Sequence, residues 1–229
     1  MRRIFFLAAL LLCCGIACGQ SWCGIQTMYF QNNQSISPAG YEELINYPSG
    51  NTEIIENKSV INTDGPVLID NYIMPEGSLS DTTVLLEGLR RYRYYAYVSG
   101  TSGTTQLNFT LFKRSSNGTE QNIYTAMSGD INALTVTEYD LNYVSQYPVS
   151  FEPTDRIGVR VSANTTHSAP ITVSWVYQGS THASHIDSGY FVCPDAPHSG
   201  DDQGSIGLVA GIAGCLLGML LVQRRIERK

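Results

Sequence analysis

The chain has 229 residues, of which 15% are charged, and its formal net charge is −6. That length accommodates one domain with a sizeable core and is marginal for two. Residues 20–204 hold eight basic and nineteen acidic side chains, a net of −11; such a field repels phosphate backbones and sets nucleic-acid binding aside.

The N-terminus reads as a secretory signal peptide over residues 1–19. Met1-Arg2-Arg3 is a basic start, residues 4–12 are apolar, and Ala17-Cys18-Gly19 supplies small residues for cleavage before Gln20. Three of the six cysteines, Cys13, Cys14 and Cys18, fall inside it. Cys215 lies in the apolar C-terminal run, which leaves Cys23 and Cys193. In an oxidising compartment that pair is a disulfide candidate. Closing so long a loop would contribute roughly 4–5 kcal/mol through chain entropy and would set the first and last strands side by side.

Residues 20–194 are dominated by strand signals. Strands are predicted near residues 25–31, 67–73, 83–87, 89–98, 106–113, 120–126, 156–162, 171–177 and 189–192. In the 106–113 segment Leu107, Phe109 and Leu111 share one face, with Asn108 and Thr110 expected on an outward one. In the 156–162 segment Ile157, Val159 and Val161 are expected inward, and Arg156, Gly158 and Arg160 outward. Asn117-Gly118, between two strand patterns, is a hairpin signal. The strongest helix candidate covers residues 131–144, although Thr135-Val136-Thr137 favours strand there. Many short antiparallel strands predict an all-β fold, an antiparallel β-sandwich of jelly-roll type rather than immunoglobulin-like. The immunoglobulin pattern sets its cysteines inside the domain around a tryptophan, whereas Cys23 and Cys193 sit at the ends. Asn33, Asn57, Asn108, Asn117 and Asn164 fit the N-glycosylation pattern, as a secreted domain would.

Residues 195–204 are acidic and carry Pro and Gly, the composition of a short stalk. The uncharged run 205–222 meets the lower limit of about 18 residues for a membrane-spanning helix. The cluster Arg224, Arg225, Arg228 and Lys229 that follows marks residues 223–229 as a cytoplasmic tail. This charged end and a short polar spacer argue against a lipid-anchor signal at Ser199 or Gly200. At about 100° per residue, Gly207, Gly211, Gly214 and Gly218 fall within roughly 60° of one another. Such a stripe would let a second copy or a partner helix approach closely.

Catalytic chemistry is sparse. The sequence contains no G-x-S-x-G elbow, H-E-x-x-H, P-loop, EF-hand loop or G-x-G-x-x-G, and no cofactor is expected. His182, His185 and Asp187 form the densest group of metal-ligand types. Histidines three apart lie on opposite faces of a strand, so they could share a metal only from a turn. Residues 90–97, Arg-Arg-Tyr-Arg-Tyr-Tyr-Ala-Tyr, concentrate three of the eight cations of residues 20–204. In a strand Arg91, Arg93, Tyr95 and Tyr97 share one face, a candidate ligand surface because Arg and Tyr are enriched at interface hot spots. The reading that the sequence favours for the same residues is a sheet strand whose tyrosines pack while its arginines snorkel or pair with nearby acids.

These features predict a single-pass type I glycoprotein of the plasma membrane or another secretory-pathway membrane. Its N-terminus would be extracellular or lumenal and its C-terminus cytoplasmic. The expected activity is non-catalytic binding of an extracellular protein or glycan, in adhesion or recognition. The rival readings are a membrane-anchored metal-dependent hydrolase using His182, His185 and Asp187, and a structural glycosylated coat protein.

Overall fold

The computed structural model describes residues 24–35, 38–79 and 82–193. The predicted signal peptide, Cys23, the stalk, the apolar run with its glycines, the tail and His198 lie outside these residues. Among the described residues no helix is long and apolar enough to cross a membrane.

The chain is all-β. Its strands are β1 (Gly24–Gln34), β2 (Glu42–Ile45), β3 (Ile54–Val60), β4 (Val67–Ile73), β5 (Thr83–Leu85), β6 (Gly88–Val98) and β7 (Thr105–Arg114). They continue with β8 (Glu120–Met127), β9 (Thr137–Ser145), β10 (Val149–Phe151), β11 (Arg156–Thr165), β12 (Ile171–Tyr177) and β13 (His185–Val192). Hydrogen bonding follows the order β3-β12-β6-β13-β1-β2-β4-β11-β7-β8, with β9 on β6 and β5 joining β10 to β13.

The sheet is mixed, which corrects the expectation of a purely antiparallel one: β2 and β4 pair in parallel. Parallel neighbours need a crossover connection. Here β3 supplies it, leaving β2 to pair with β12 before the chain returns to β4. The candidate helix over 131–144 is also corrected. Residues 137–145 form β9, because Tyr139, Leu141 and Tyr143 alternate with Glu138, Asp140 and Asn142. Tyr139 stacks on Tyr94 at 5.5 Å and Tyr143 on Tyr124 at 4.4 Å. A period of two therefore reaches the core where a helix would not.

Aromatic rings fill the centre. Phe109 of β7 meets Tyr92 and Tyr94 of β6 at 4.8 and 5.1 Å, and Trp175 of β12 at 5.8 Å. β7 does not neighbour β6 or β12 in the sheet, so these rings meet across the core from strands far apart in the hydrogen-bonded order. Trp175 Nε1 donates to Tyr72 Oη at 3.0 Å, which satisfies a buried donor that would otherwise cost about 1–3 kcal/mol.

Two outward faces are closed, contrary to the sequence expectation. On β7, Asn108 and Thr110 are 7% and 9% exposed. β7 is flanked over its length by β11 and β8, and the Thr110 hydroxyl meets that of Thr125 at 2.9 Å. Arg156 is buried too, its Nε donating to Met74 O at 2.7 Å. Arg90, buried on β6, donates to the carbonyl oxygens of Leu86 and Leu89. Burial pulls its guanidinium pKa below the usual arginine value. Gly189, at φ +86°, makes room for it: a Cβ there would lie 1.7 Å from Arg90 Nη1.

Candidate functional site

β6 alternates residue by residue. Arg90, Tyr92, Tyr94 and Ala96 are buried, while Arg91, Arg93, Tyr95 and Tyr97 stand on the outer face. Antiparallel register carries that face sideways through four strands. One row aligns Tyr29 of β1, His185 of β13, Arg93 of β6 and Asp140 of β9. The adjacent row aligns Thr27, Asp187, Arg91 and Asn142, and Tyr95 stands opposite Glu138.

Two loops rise beside this face and make it concave. The β12–β13 connection turns at Gln178 and Gly179, both left-handed at φ 62° and 92°. Gln178 is held there by its side chain, whose Oε1 accepts the Asn32 N–H at 2.8 Å. A Cβ on Gly179 would lie 3.2 Å from Glu53 Cα, so the turn packs closely against the β2–β3 loop. His182 binds the Glu53 carboxylate through Nδ1 and locks the two loops together. The result is a cleft of about 390 Å³, bordered by Tyr29, Arg93, Tyr95, His185, residues 179–181 and Ala183 of the turn, and Pro48 with Gly50.

The polar groups around the cleft have defined roles. Arg93 Nε lies 3.5 Å from Glu138 and 3.6 Å from Asp140, with a side chain 42% exposed. Nε is itself buried and makes no hydrogen bond, so the two ion pairs are the contacts that hold the guanidinium. The Tyr95 hydroxyl donates to Glu138 Oε2 at 2.5 Å. Burial and then the Glu138 carboxylate push its pKa up to about 12, so it remains a protonated donor. Its ring packs on His182 at 4.8 Å, and the Tyr29 ring packs on His185 at 5.1 Å. His185 Nδ1 lies 2.7 Å from Ala183 O. A carbonyl only accepts, so Nδ1 carries the proton, and in neutral His185 Nε2 is an acceptor.

The predicted metal-ligand trio does not converge. Asp187 accepts from the Thr27 hydroxyl at 2.7 Å, His182 turns Nδ1 to Glu53, and His185 turns Nδ1 to Ala183. Among the described residues no group of three His, Cys, Asp or Glu is placed to hold a metal. What the structure does join is the two features that the sequence kept apart, since His185 borders the cleft that Arg93 and Tyr95 line and the His182 ring packs on Tyr95.

Comparison with known proteins adds the fold and little else. No family model matches the sequence, and no curated protein matches it. Among solved structures, an aminopeptidase from the marine sediment archaeon Thaumarchaeota archaeon is similar at TM-score 0.57 and 10% identity, over 74% of this chain and 37% of that one. A CocE/NonD family hydrolase from Staphylococcus aureus is similar at TM-score 0.51 and 8% identity, over the same shares. The chain thus matches little more than a third of the length of either hydrolase.

A serine–histidine contact escaped the sequence reading. His167, buried in the β11–β12 turn, lies 3.0 Å through Nδ1 from Ser102 Oγ. Its Nε2 accepts the Gly103 N–H at 2.9 Å. Nε2 is therefore the unprotonated nitrogen, and Nδ1 donates to Ser102. A histidine that gives its proton to the serine cannot serve as that serine's base. Its role is to fasten residues 102–104 to the turn. We predict that His167→Ala removes the acceptor of the half-buried Gly103 N–H and lowers stability by about 1 kcal/mol, read as a lower urea midpoint with an unchanged slope.

A second hollow, of about 290 Å³, lies beside the β7–β8 turn and is lined by Arg114 and Arg156. Arg114 is engaged by Glu120 at 2.9 Å and Arg156 by Met74 O, so neither is as open as Arg93. Of the five sequon asparagines, Asn33, Asn57 and Asn117 are exposed and Asn164 is partly so, while Asn108 is buried. Asn117 sits at the hairpin tip, where its Oδ1 accepts the Thr119 N–H at 2.9 Å.

Proposed function

We propose that the chain is a type I cell-surface glycoprotein whose ectodomain, a β-sandwich of jelly-roll type, recognises an extracellular protein or glycan and catalyses no reaction. The carrying observation is the cleft itself. Arg93, Tyr29, Tyr95 and His185 border it together from one sheet face, beside loops joined by His182 and Glu53. Positioned side chains with open hydrogen-bonding capacity suit binding. Pairing of Gly24 with Phe191 brings the chain next to Cys23 close to the end of β13, which favours a Cys23–Cys193 disulfide. Asn33, Asn57, Asn117 and Asn164 are the proposed glycan carriers. The run 205–222 is the proposed anchor, and its glycine stripe the contact with a second copy or a partner helix.

The test uses full-length chain in lipid nanodiscs, screened against immobilised glycans and ectodomains. Saturable binding that Arg93→Ala weakens at least about tenfold, equivalent to 1.4 kcal/mol, is the expected result. Turnover of an ester or peptide substrate that the same substitution abolishes would replace recognition with catalysis.

A further inference from the structure

We propose that one end of the domain rests on the lipid bilayer itself, through a row of apolar side chains on the outer face of the sheet. This rests on the reading of residues 205–222 as the anchor and names the surface that meets the membrane. Four neighbouring strands carry that face, and all four change character at the same end. Along β1 the outward side chains run Tyr29, Thr27, Ile25, and along β6 they run Tyr95, Arg93, Arg91, Leu89. Along β9 they run Glu138, Asp140, Asn142, Val144. On β13 His185 and Asp187 are followed by Tyr190, because the ladder with β1 shifts there and Gly189, at φ +86°, takes up the extra residue. Ile25 pairs with Tyr190 and Leu89 with Val144. Tyr147 follows two residues after the Gly88–Ser145 pair that closes β9 on β6.

Ile25, Leu89, Val144, Tyr147 and Tyr190 are between 50% and 74% exposed. They are half of the ten large apolar side chains exposed among the described residues, so this end is a patch and not a scatter. Size argues against a protein as its cover. A stable protein–protein interface takes about 20–30 residues from each side. Here the five are extended only by Val84 and Val192, paired and half-buried, and are closed off by the next row, Thr27, Asp187, Arg91 and Asn142. A bilayer needs no complementary surface, and a contact too weak to hold a free partner suffices for a domain already tethered.

Position argues for lipid. β13 runs toward this end and stops at Val192. Residues 194–204 separate it from the uncharged run, and a flexible chain of that length spans about 20 Å on average. Tyrosine favours the headgroup level of a membrane, and Ile, Leu and Val favour the depth below it. The row holds no cation, and the exposed charge in the adjoining β5–β6 turn is an acid, Glu87. The contact is therefore apolar, with no preference for anionic lipid. Asn33 lies eight residues along β1 from Ile25, about 27 Å away, so a glycan there stays clear of the bilayer. Tyr29, at the edge of the cleft, is four residues from Ile25, about 14 Å. Contact through the end row thus leaves the cleft open.

The experiment is NMR of full-length chain, methyl-labelled at Ile, Leu and Val, in phosphatidylcholine nanodiscs containing doxyl-labelled phosphatidylcholine. Methyl signals of Ile25, Leu89 and Val144 should broaden. Those of Ile55, Leu68 and Leu134, exposed elsewhere, should stay sharp. Ile25→Gln combined with Leu89→Gln should cut the Val144 broadening at least about threefold, because the apolar area in contact falls. Both side chains are exposed, so the melting temperature should hold; if it drops, the wild-type pattern over the six residues decides. Chain that stays in the disc without selective broadening of Ile25, Leu89 and Val144 overturns the contact and leaves the anchor standing. Broadening that grows when phosphatidylserine is added overturns the apolar contact in favour of a charged one. Protection of the row from a soluble relaxation agent that rises with the number of copies per disc, without lipid broadening, assigns the row to a second copy and overturns the proposal. Chain that does not remain with the discs overturns the anchor reading and the contact together.

Discussion

Replacing Gly158 with alanine should lower the stability of the folded chain by about 3 kcal/mol. Gly158 lies within β11, and across the ladder it faces Phe112 of β7. A Cβ at Gly158 would stand 2.1 Å from Phe112 Cζ and within 2.7 Å of Cε1 and Cε2. Those contacts are with the far end of a rigid ring, so a small torsional change does not relieve them. Nor can the ring lift away. Phe112 is 0% exposed, the Arg160 guanidinium covers it at 5.2 Å, and Tyr41 adjoins it at 6.2 Å. Arg160 is in turn held by Glu120 at 2.9 Å. Overpacking typically costs about 1–3 kcal/mol, and losing a buried phenylalanine about 3–5 kcal/mol. The alanine methyl forces a choice between these two costs. The measurement is a double-mutant cycle by urea unfolding with Gly158→Ala, Phe112→Ala and the pair. The double variant should lose clearly less than the sum of the singles, because removing the ring empties the space that the methyl needs. Strict additivity would mean that the ring and the glycine do not share that space.

Gly158 also shows how much of this molecule the sequence made legible. The alternation of Ile157, Val159 and Val161 was readable, because a period of two needs only the residues themselves. What covers the other face was not. Arg156 and Gly158 read as solvent-facing, yet Arg156 is buried against Met74 and Gly158 lies under Phe112. Both depend on β4 and β7 lying to either side of β11, and pairing between distant strands leaves no local periodicity. The same limit hid β2, whose Glu42 faces inward, and β3, an edge strand of mixed polarity. The cleft follows this pattern. The outer face of β6 was legible from Arg91, Arg93, Tyr95 and Tyr97, and the 182–187 segment was legible as a polar cluster. That His185 and Arg93 are register partners is a property of the β13–β6 pairing. Signals that could have hinted at it are the aromatic and charged residues spaced by two in both segments. Glu138 and Asp140, which compensate Arg93, were obscured by reading their segment as a helix candidate.

Stability of the wild-type chain should fall as pH rises from about 4.5 to about 8, and Glu42→Gln should abolish most of that fall. Glu42 is 5% exposed, and its Oε2 accepts the Tyr177 hydroxyl at 2.8 Å while Gln34 lies 3.4 Å from Oε1. Burial pushes its carboxyl pKa up to about 8, opposed in part by the Tyr177 bond and reinforced by the charge of Asp70. Burial raises the Asp70 pKa as well. Two carboxyls this close in a low-dielectric setting favour holding one proton between them. The folded-state pKa of Glu42 is above its ordinary value, so between these two pH values the native chain binds more protons than the unfolded chain. The linkage slope is then negative: the stabilisation is complete below the unfolded pKa and lost as pH climbs through the folded one. A tenfold difference in proton affinity between the folded and unfolded chain corresponds to about 1.4 kcal/mol, which makes the expected decline several kcal/mol. Glutamine keeps the bond from Tyr177, donates an N–H toward Asp70 and cannot ionise. At pH 8 Glu42→Gln should therefore be more stable than wild type, and near pH 5 the two should be nearly equal. Asp70→Asn removes the neighbouring charge but leaves the burial, so its slope should be shallower than wild type without vanishing. Urea midpoints for the three proteins across pH 4.5 to 8.5 give the comparison. A wild-type curve parallel to that of Glu42→Gln would show that Glu42 is ionised throughout and that the buried pair holds no proton.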